Sequence, residues 1–359
     1  MTTNILKPKD PLAIASELLD ILNHGALSLM ISIGHRTQLF DVMANLPPST
    51  SDTIAEAAGL NERYVREWLG AMVMGGIITY HPNDRTYELP SEYAAFLTRQ
   101  ATPNNMAVAM QFIPVLAQVE DEIIRCFQQG GGLPYTAYPR FHEVMAEDSG
   151  QSVVAVLDEG ILPLVPRLTA NLSEGITVLD VGCGGGKAIT KLAQLYPRSQ
   201  FVGVDVSEEA IALAKSHTEA LGLHNLTFEV QDAANLNFQQ PFDLITAFDA
   251  IHDQAYPDQV LKNIYENLKD QGIFLMQDIR ASRDVHQNLD HPARTFLYTV
   301  SCLHCMSVSL ANNGAGLGTV WGEETALEML QDVGFQDISV KQLPHDPMNN
   351  FYIVQKNTD

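Results

Sequence analysis

The chain has 359 residues, 46% hydrophobic and 18% charged, which is long enough for two domains with a full apolar core. Its formal net charge of −22 argues against a general binder of nucleic acid or of anionic membranes. Four cysteines without a signal-peptide pattern favour a reducing, cytoplasmic setting. No uncharged apolar run approaches the ~20 residues that span a bilayer. The longest candidate, Leu22–Gly34, contains Asn23 and His24 and is interpreted as a packed helix.

The N-terminal third is predicted to be helical and then to form a winged helix. Aliphatic residues at helical spacing predict a helix over Leu12–Met43, which Pro47 and Pro48 end. Two helices and two short strands follow: Asp52–Ala58, a helix from an Asn61 cap to about Met74, Ile77–Tyr80 and Thr86–Leu89. Helix–turn–helix–hairpin is the order of a winged helix. Further helices are predicted over Glu92–Cys126 and Phe141–Thr169, with a flexible joint at Gly130–Gly132.

From Ile176 onward, predicted strands alternate with helices, which is typical of a parallel sheet covered on both faces. The predicted strands are Thr177–Val181, Phe201–Asp205, Leu226–Val230, Phe242–Phe248, Gly272–Gln277, Ile338–Leu343 and Phe351–Gln355. The loop over residues 344–350 is too short for a crossover helix, so the last two strands are predicted to pair antiparallel. The predicted fold class is α/β, a Rossmann-like seven-stranded sheet behind an N-terminal helical and winged-helix domain. The predicted domains are 1–95, a helical linker 96–170, and 171–359 with a lid insertion 285–321.

A glycine-rich turn follows the first strand of this sheet, at Gly182, Gly184, Gly185 and Gly186. Such a turn lets the backbone approach a ligand, and the next helix directs its N–H groups at that ligand. Lys187 occupies the position of the third glycine in the dinucleotide fingerprint, and Ala188 lacks the hydroxyl that a phosphate-binding loop needs there. The remaining pattern, G-x-G-x-G with Asp180 before it and Asp205 after it, resembles the signature of class I S-adenosylmethionine (SAM) methyltransferases.

Acidic residues stand at successive strand ends, where ligands of doubly wound sheets bind. Asp205 can accept hydrogen bonds from ribose hydroxyls and Asp232 from an adenine amino group. Each acid alone is equally well explained as a turn or cap residue, but their register with the glycine turn favours one shared ligand. The predicted cofactor contacts are Asp180, Gly182, Gly184, Gly186, Asp205, Val206, Asp232, Ala233 and Asp249. The resemblance implies that the cofactor is SAM and the product S-adenosylhomocysteine (SAH).

His252 follows the fourth strand and would project over the open end of the sheet, where an imidazole can take a proton from an attacking hydroxyl. The segments Ile251–Leu261 and Asn267–Gly272 resemble the small-molecule O-methyltransferases. That resemblance implies that His252 and Asp253 are catalytic, and that Asp278 is the acid that orients the histidine. Gln254 stands where that family has an aromatic residue, so the class of acceptor is left open.

The whole chain resembles a bacterial-type family of winged-helix methyltransferases, on the segments Leu60–Trp68, Ile251–Gln254 and Gly316–Gly322. The resemblance implies that the winged helix serves homodimerisation and closes one side of the acceptor pocket. The insertion before the final helix supplies the candidate acceptor contacts His291, Arg294, Tyr298, His304 and Trp321. No metal site is predicted, because the C-x-x-C pair within this insertion has no second pair.

The favoured function is methyl transfer from SAM to a small molecule, with oxygen as the favoured acceptor atom because it needs a base. Nitrogen, carbon and sulfur stay open as acceptor atoms. Arsenite methylation is disfavoured, because it needs several thiols and only Cys302 and Cys305 can be placed near the site. A methyltransferase fold that has lost catalysis is disfavoured by the intact motif residues.

The alternative is a winged-helix transcription regulator that binds DNA and uses SAM as a ligand. The would-be recognition helix offsets Arg63 and Arg66 with Glu62 and Glu67, so it is not predicted to present a basic face to phosphates. The other prominent side chains of this helix are predicted to be packing groups: Tyr64, Trp68, Leu69 and Met72.

Overall fold

The computed structural model describes residues 10–344 and 346–357, so His345 in the predicted loop lies outside the described residues. The chain forms two compact units, Met1–Pro114 and Val115–Asp359. The division between them falls inside the predicted helical linker 96–170.

The N-terminal unit contains helices around a two-stranded hairpin. Its elements are α1 (Pro11–Arg36), α2 (Leu39–Met43), α3 (Ser51–Ala58), α4 (Glu62–Met74), β1 (Thr79–His81), β2 (Thr86–Glu88), α5 (Ser91–Leu97) and α6 (Met106–Ala109). This order confirms the predicted winged helix, and Asn61 caps α4 by accepting a hydrogen bond from the Arg63 N–H at 3.1 Å. The predicted long helix over Leu12–Met43 is wrong in one respect, because Gln38 adopts φ +60° and separates α1 from α2.

The core of this unit is built on α4. Trp68 lies 5.2 Å from the Phe40 ring between centroids, and its Nε1 donates to the Met30 carbonyl at 2.8 Å. Leu69 is fully buried as well, whereas Tyr64 is 80% exposed, so the packing role predicted for Tyr64 is wrong.

Both arginines of α4 pair with glutamates of the same helix. Arg63 is bonded to Glu67, and Arg66 lies 2.7 Å from Glu62. These exposed pairs match each positive charge with a negative one, so α4 does not present the basic face that a phosphate backbone needs.

The first helix is far more exposed than expected for a packed helix. Its buried residues are confined to the last turns, at Ile31, Ser32, Gly34 and His35. The exposed apolar side chains are Leu12, Ile14, Leu18, Leu19, Ile21, Leu22, Leu29 and Ile33. By length and composition, α1 is the one described helix that could cross a membrane. Such a helix was not predicted from the sequence, because no sufficiently long uncharged apolar run was found. It carries Glu17 and Asp20, whose charges are costly inside hydrocarbon.

The C-terminal unit is a seven-stranded sheet with helices, linked by short 3₁₀ and π-helical turns. Its helices, the first of which spans the division between the units, are α7 (Phe112–Ala117), α8 (Glu120–Gln129), α9 (Phe141–Ser149), α10 (Leu168–Glu174), α11 (Lys187–Leu195), α12 (Glu208–Leu221), α13 (Pro257–Glu266), α14 (Arg294–Val300), α15 (Met306–Ala311) and α16 (Glu323–Asp332). Its strands are β3 (Thr177–Val181), β4 (Gln200–Asp205), β5 (Leu226–Val230), β6 (Phe242–Phe248), β7 (Leu268–Ile279), β8 (Ile338–Leu343) and β9 (Asp346–Gln355).

The strand order is β5-β4-β3-β6-β7-β9-β8. The first five strands in this order are parallel to one another, and β9 is antiparallel to both of its neighbours, β7 and β8. This confirms the predicted α/β class, the seven strands and the final antiparallel pair. The last strand starts at Asp346 rather than at the predicted Phe351, because Asn349 and Asn350 still pair with β7. An apolar core lies on each face of the sheet. The carboxyl ends of β3, β4, β6 and β7 therefore meet at one edge, where a ligand can reach them.

Candidate active site

The glycine turn after β3 is shaped by close backbone approach. Gly182 has φ +70°, and a Cβ added to it would lie 2.6 Å from the Ala250 Cβ. Gly186 has φ +69°, and its Cβ would lie 2.5 Å from the Phe228 ring. Gly184 has open space beside it but needs its φ of +52°. At Gly182 and Gly186, therefore, both the close packing and the positive φ require glycine.

Asp205, at the end of β4, ties this turn to the next helix. Its two carboxylate oxygens accept backbone hydrogen bonds from Gly184 and Ser207, each at 2.9 Å. The side chain is half-buried, and each oxygen keeps a free lone pair for a further donor. The carboxylate is thus held in a fixed direction beside the glycine turn.

Two further carboxyl groups lie buried at this edge. Asp180 is 3% exposed and accepts a hydrogen bond from the Thr246 hydroxyl at 2.7 Å, and burial raises its pKa to about 7. Asp249 has φ +50° and accepts a hydrogen bond from Gln277 at 3.0 Å, while its Oδ1 is buried without a partner among the residues that the structure describes. Burial, followed by the charge of Asp278, raises the pKa of Asp249 to about 8. Both carboxyl groups are therefore substantially protonated near neutral pH.

The other predicted cofactor contacts lie at the rim. Asp232 is exposed and accepts hydrogen bonds from the Ala234 N–H and the Asn235 side chain, each at 2.9 Å, so it acts as the cap of a short turn. Val206 is exposed and Ala233 is buried. Their part in binding a cofactor stays a prediction.

His252 and Asp278 form a buried pair across the ends of β6 and β7. His252 is 5% exposed, and its Nδ1 lies 2.8 Å from Asp278 Oδ1. The same oxygen accepts hydrogen bonds from the Ile279 N–H at 2.8 Å and from the Trp321 indole at 3.1 Å. Asp278 Oδ2 is buried and has no hydrogen-bond partner in the described part of the chain. Burial acts to lower the pKa of His252, but Asp278 and the neighbouring Cys305 thiol outweigh it and hold that pKa well above its usual range.

Asp253, the other predicted catalytic acid, bonds elsewhere. It accepts a short hydrogen bond from the Tyr135 hydroxyl, and burial raises the pKa of both groups. Sequence reasoning missed Tyr135 altogether. The available signal was its place just after Gly130–Gly132, a segment predicted only to be a flexible joint.

The five candidate acceptor contacts separate into two groups. Trp321 bonds Asp278, as described, and His304 is buried near His252; burial, followed by the charge of His252, lowers the pKa of His304. The other three make no described hydrogen bond to His252 or Asp278. Arg294 is exposed at the start of α14. The Tyr298 hydroxyl accepts a hydrogen bond from the Asn288 amide at 3.1 Å, and a ring nitrogen of His291 accepts one from the Ala293 N–H at 3.1 Å.

Metal-ligating side chains do not converge in the part of the chain that the structure describes. No group of three or more His, Cys, Asp or Glu could hold an ion there. Cys302 and Cys305 are free thiols on the π-helical turn between α14 and α15.

Two family models match separate parts of the chain. An Rv2258c-like winged HTH domain matches residues 25–99, and a methyltransferase domain matches residues 172–334. These matches agree with the winged helix and with the sheet that carries the His252–Asp278 pair.

Relatives match the chain over the methyltransferase region. A malonyl-(acyl-carrier protein) O-methyltransferase of Bacillus cereus is 28% identical over 146 residues, which is 41% of this chain and 48% of that protein. An arsenite methyltransferase of Aquipseudomonas alcaligenes is 34% identical over 127 residues, 33% of this chain and 37% of that protein. The chain thus spans about half or less of the length of these curated relatives.

The likeness to solved structures extends over the whole chain. Human N-acetylserotonin methyltransferase, solved in complex with SAM, superposes with a TM-score of 0.70 at 17% identity and covers 100% of both chains. At that identity the likeness concerns the fold. Residues 25–99 thus match a winged helix-turn-helix domain and residues 172–334 a methyltransferase domain, and the fold is similar to that of a solved methyltransferase.

Proposed function

We propose that this protein transfers the methyl group of SAM to a hydroxyl oxygen of a small molecule, with His252 as the general base. The observation that carries the proposal is the buried His252–Asp278 pair, which lies at the same sheet edge as the glycine turn. The O-methyltransferase names of the relatives support the reaction class. When bound, SAM supplies an electrophilic methyl group on a sulfonium ion.

The residues at the sheet edge fit an adenosyl cofactor. Gly182 and Gly186 let the turn pack closely against Ala250 and Phe228, where a Cβ would clash, and the Asp205 carboxylate is fixed beside the turn with lone pairs for hydroxyl donors. Among the described residues Asp249 Oδ1 is buried without a hydrogen-bond partner, so it can accept a hydrogen bond from a bound cofactor. Gly182, Gly184, Gly186 and Asp205 would hold the cofactor.

The protein's own contribution to the reaction is a fixed base in a dry site. Asp278 accepts from Nδ1 of His252, so Nε2 is the nitrogen that would take the proton of the acceptor hydroxyl. Trp321 and the Ile279 N–H fix the Asp278 carboxylate that orients the ring. The raised pKa of His252 means that the base becomes available as the pH rises above the usual range of histidine.

An oxygen acceptor is favoured over arsenite by the state of the thiols. Arsenite methylation needs several thiols as ligands. Cys302 and Cys305 do not belong to any metal-binding group among the described residues, and Cys305 contacts the catalytic histidine instead.

The proposal is tested first on the cofactor. We expect the Asp205→Ala variant to bind SAM and SAH at least about tenfold more weakly than the wild type, because it loses the ribose acceptor and the two bonds that hold the turn. Titration calorimetry measures both affinities. Glu209→Ala, an exposed acid in the first turn of α12, is the matched control and should bind like the wild type. A wild type that binds neither compound contradicts the proposal.

We also propose that the protein is a homodimer through α1. An apolar surface along a 26-residue helix is the kind of patch that a second copy covers. The double substitution Leu18→Glu and Leu22→Glu is expected to convert the dimer to a monomer, because it introduces charges into that surface. Light scattering after gel filtration gives the mass, and Leu221→Glu, an exposed leucine on α12, serves as the control. A monomeric wild type would exclude the dimer.

The cytoplasmic setting remains part of the proposal. All four cysteines are free thiols, which fits a reducing compartment.

A further inference from the structure

Gln254 closes the turn that carries His252. Its side-chain amide donates to the Ala250 carbonyl at 2.7 Å, and its N–H donates to the Ile251 carbonyl at 3.2 Å. Both acceptors lie before His252 in the chain and both donors lie after it, so the two bonds fix the backbone on either side of the histidine. We call the segment Ala250–Gln254 the His252 turn.

Ser309 joins the His252 turn to helix α15. This side chain is fully buried, and its hydroxyl donates to the Gln254 carbonyl at 2.8 Å while it accepts from the Gly316 N–H at 3.0 Å. A hydroxyl has one proton to donate, and the bond to Gln254 uses it. The Ser309 carbonyl in turn accepts from the Gly314 N–H at 2.9 Å. One residue therefore connects the His252 turn to the glycine-containing segment that follows α15.

The segment after α15 lies directly against the end of the His252 turn. A Cβ added to Gly314 would lie 2.4 Å from the Ala255 Cα, and the Ala315 N–H donates to the Ala255 carbonyl at 2.8 Å. Two stretches of backbone are thus in close contact next to Gln254. Packing of this density leaves little room for the His252 turn to shift while the Ser309 hydroxyl bonds both stretches.

The start of α15 also contacts the ring of His252. Cys305, which lies about one helical turn before Ser309, contacts His252. Asp278 holds Nδ1 of that ring at 2.8 Å. Asp278 and Cys305 therefore hold the ring, while Ser309 holds the backbone from which the ring projects.

Several titratable groups act on His252 besides Asp278. They are Cys305, Asp249, Asp253 and His304. Ser309 carries no charge, so replacing it with alanine alters no charge at the site. A shift in the titration of His252 after that replacement would therefore report a movement of the ring relative to these groups.

We propose that Ser309 is a positioning residue for methyl transfer, and that its hydroxyl, through the Gln254 carbonyl, keeps the His252 ring aligned between Asp278 and the acceptor hydroxyl. Ser309 touches no reacting atom. Its effect comes from geometry, since a displacement of about 1 Å can lower a rate by about 10²-fold. The inference rests on the proposed function, in which His252 is the general base.

The test compares Ser309→Ala with Ser199→Ala, a matched control just before β4. Ser199 is equally buried, donates to the Leu172 carbonyl at 2.7 Å and accepts from the Ile176 N–H at 2.9 Å. Each variant loses one buried hydroxyl with one donated and one accepted bond, so the two unfolding temperatures should fall by similar amounts. A merely structural role of Ser309 would make the two variants alike in every other readout.

The first readout is the titration of His252 in the SAH complex, followed by NMR on protein whose histidines carry ¹³C at Cε1. The His252 signal is assigned by its absence from His252→Asn. We expect Ser309→Ala to lower the pKa of His252 by about half a unit or more, because a loosened ring loses its alignment with Asp278. Ser309→Thr keeps the hydroxyl and should titrate like the wild type, as should Ser199→Ala.

The second readout is methyl transfer to catechol, used as a simple hydroxylated probe. Ser309→Ala should lower kcat by about tenfold or more and change KM for SAM by less than about threefold, because the hydroxyl acts on the base rather than on the glycine turn. Ser309→Cys keeps nearly the same volume but donates only weakly, so it should give an intermediate loss. This variant also provides the test if the alanine variant does not fold.

The outcomes separate the inference from the proposed function. A His252 titration that is the same in the wild type and in Ser309→Ala overturns the role of Ser309, and so does an equal loss of kcat in Ser199→Ala; the proposed function then stands. If the wild type does not methylate catechol, the titration alone decides. A wild type without SAH affinity, or a His252→Asn variant as fast as the wild type, contradicts the proposed function and with it the inference.

Discussion

Replacing His252 with asparagine is expected to lower kcat by about 10²–10⁴-fold with little change in SAH affinity, since this is the usual contribution of a positioned general base. The asparagine amide can still donate to Asp278 Oδ1, as Nδ1 of the histidine does at 2.8 Å, but it offers no basic nitrogen. Activity should not vanish, because positioning of two reactants alone contributes ~7–11 kcal/mol. Single-turnover transfer to the hydroxylated acceptor that the wild type methylates best measures the loss.

The pH dependence of the rate gives this prediction a second readout. Asp278 and, to a smaller extent, Cys305 hold the pKa of His252 above its usual range. The wild-type rate should therefore keep rising with pH well above the pH at which an ordinary histidine titrates. Asp278→Asn removes the larger of these two influences, so the rise should shift to lower pH. His217→Asn is the matched control. A His252→Asn variant as fast as the wild type, with the same pH profile, would exclude the histidine as the base.

The sheet and its glycine turn could be predicted from the sequence because their signals are local. Val178, Leu179 and Val181 make a short, mostly apolar strand, and the glycines at 182, 184 and 186 each adopt a positive φ that other residues rarely adopt. His252 and Asp278 could be placed because each closely follows or ends a recognisable strand, and carboxyl ends of parallel strands meet at one edge.

The partners of these residues could not be predicted, because they come from distant parts of the chain. Tyr135 bonds Asp253 across 118 positions, and Trp321 bonds Asp278 across 43. The structure shows the Trp321 indole bonded to Asp278, and its predicted contact with the acceptor stays a prediction. Nothing in the local pattern of either aromatic residue specifies the carboxylate that it meets.

Hydrophobic periodicity also cannot say what covers an apolar face. The aliphatic residues of α1 have helical spacing, which predicted the helix itself and suggested that it was packed. The structure leaves Leu18 and Leu22 more than half exposed. Spacing identifies the side chains that favour burial, whereas the surface that buries them can belong to another molecule.

Asp180 is expected to destabilise the folded protein increasingly as the pH rises. Its carboxyl has a folded pKa of about 7, raised from 3.8 by burial. Between these two values the unfolded chain releases the proton and the folded chain keeps it, so the free energy of unfolding falls with pH and levels off above the folded pKa. Each pKa unit corresponds to about 1.4 kcal/mol, so the full penalty has an upper bound of roughly 4 kcal/mol.

The variant Asp180→Asn removes this titration while its amide oxygen can still accept the Thr246 hydroxyl bond of 2.7 Å. It should match the wild type near about pH 4 and exceed its stability by up to a few kcal/mol near about pH 8.5, as measured by urea unfolding.

Asp243→Asn is the matched control with the opposite sign. Burial acts to raise the pKa of Asp243, but Lys269 at 2.8 Å and the Thr177 N–H and hydroxyl bonds outweigh it, so this pKa is lowered. Its contribution to stability is present above the unfolded pKa and is lost as the pH falls through the folded one. Asp243→Asn should therefore cost stability at high pH and progressively less as the pH falls. If the Asp180→Asn and wild-type stabilities keep a constant difference across this range, the Asp180 carboxyl is not protonated in the folded protein.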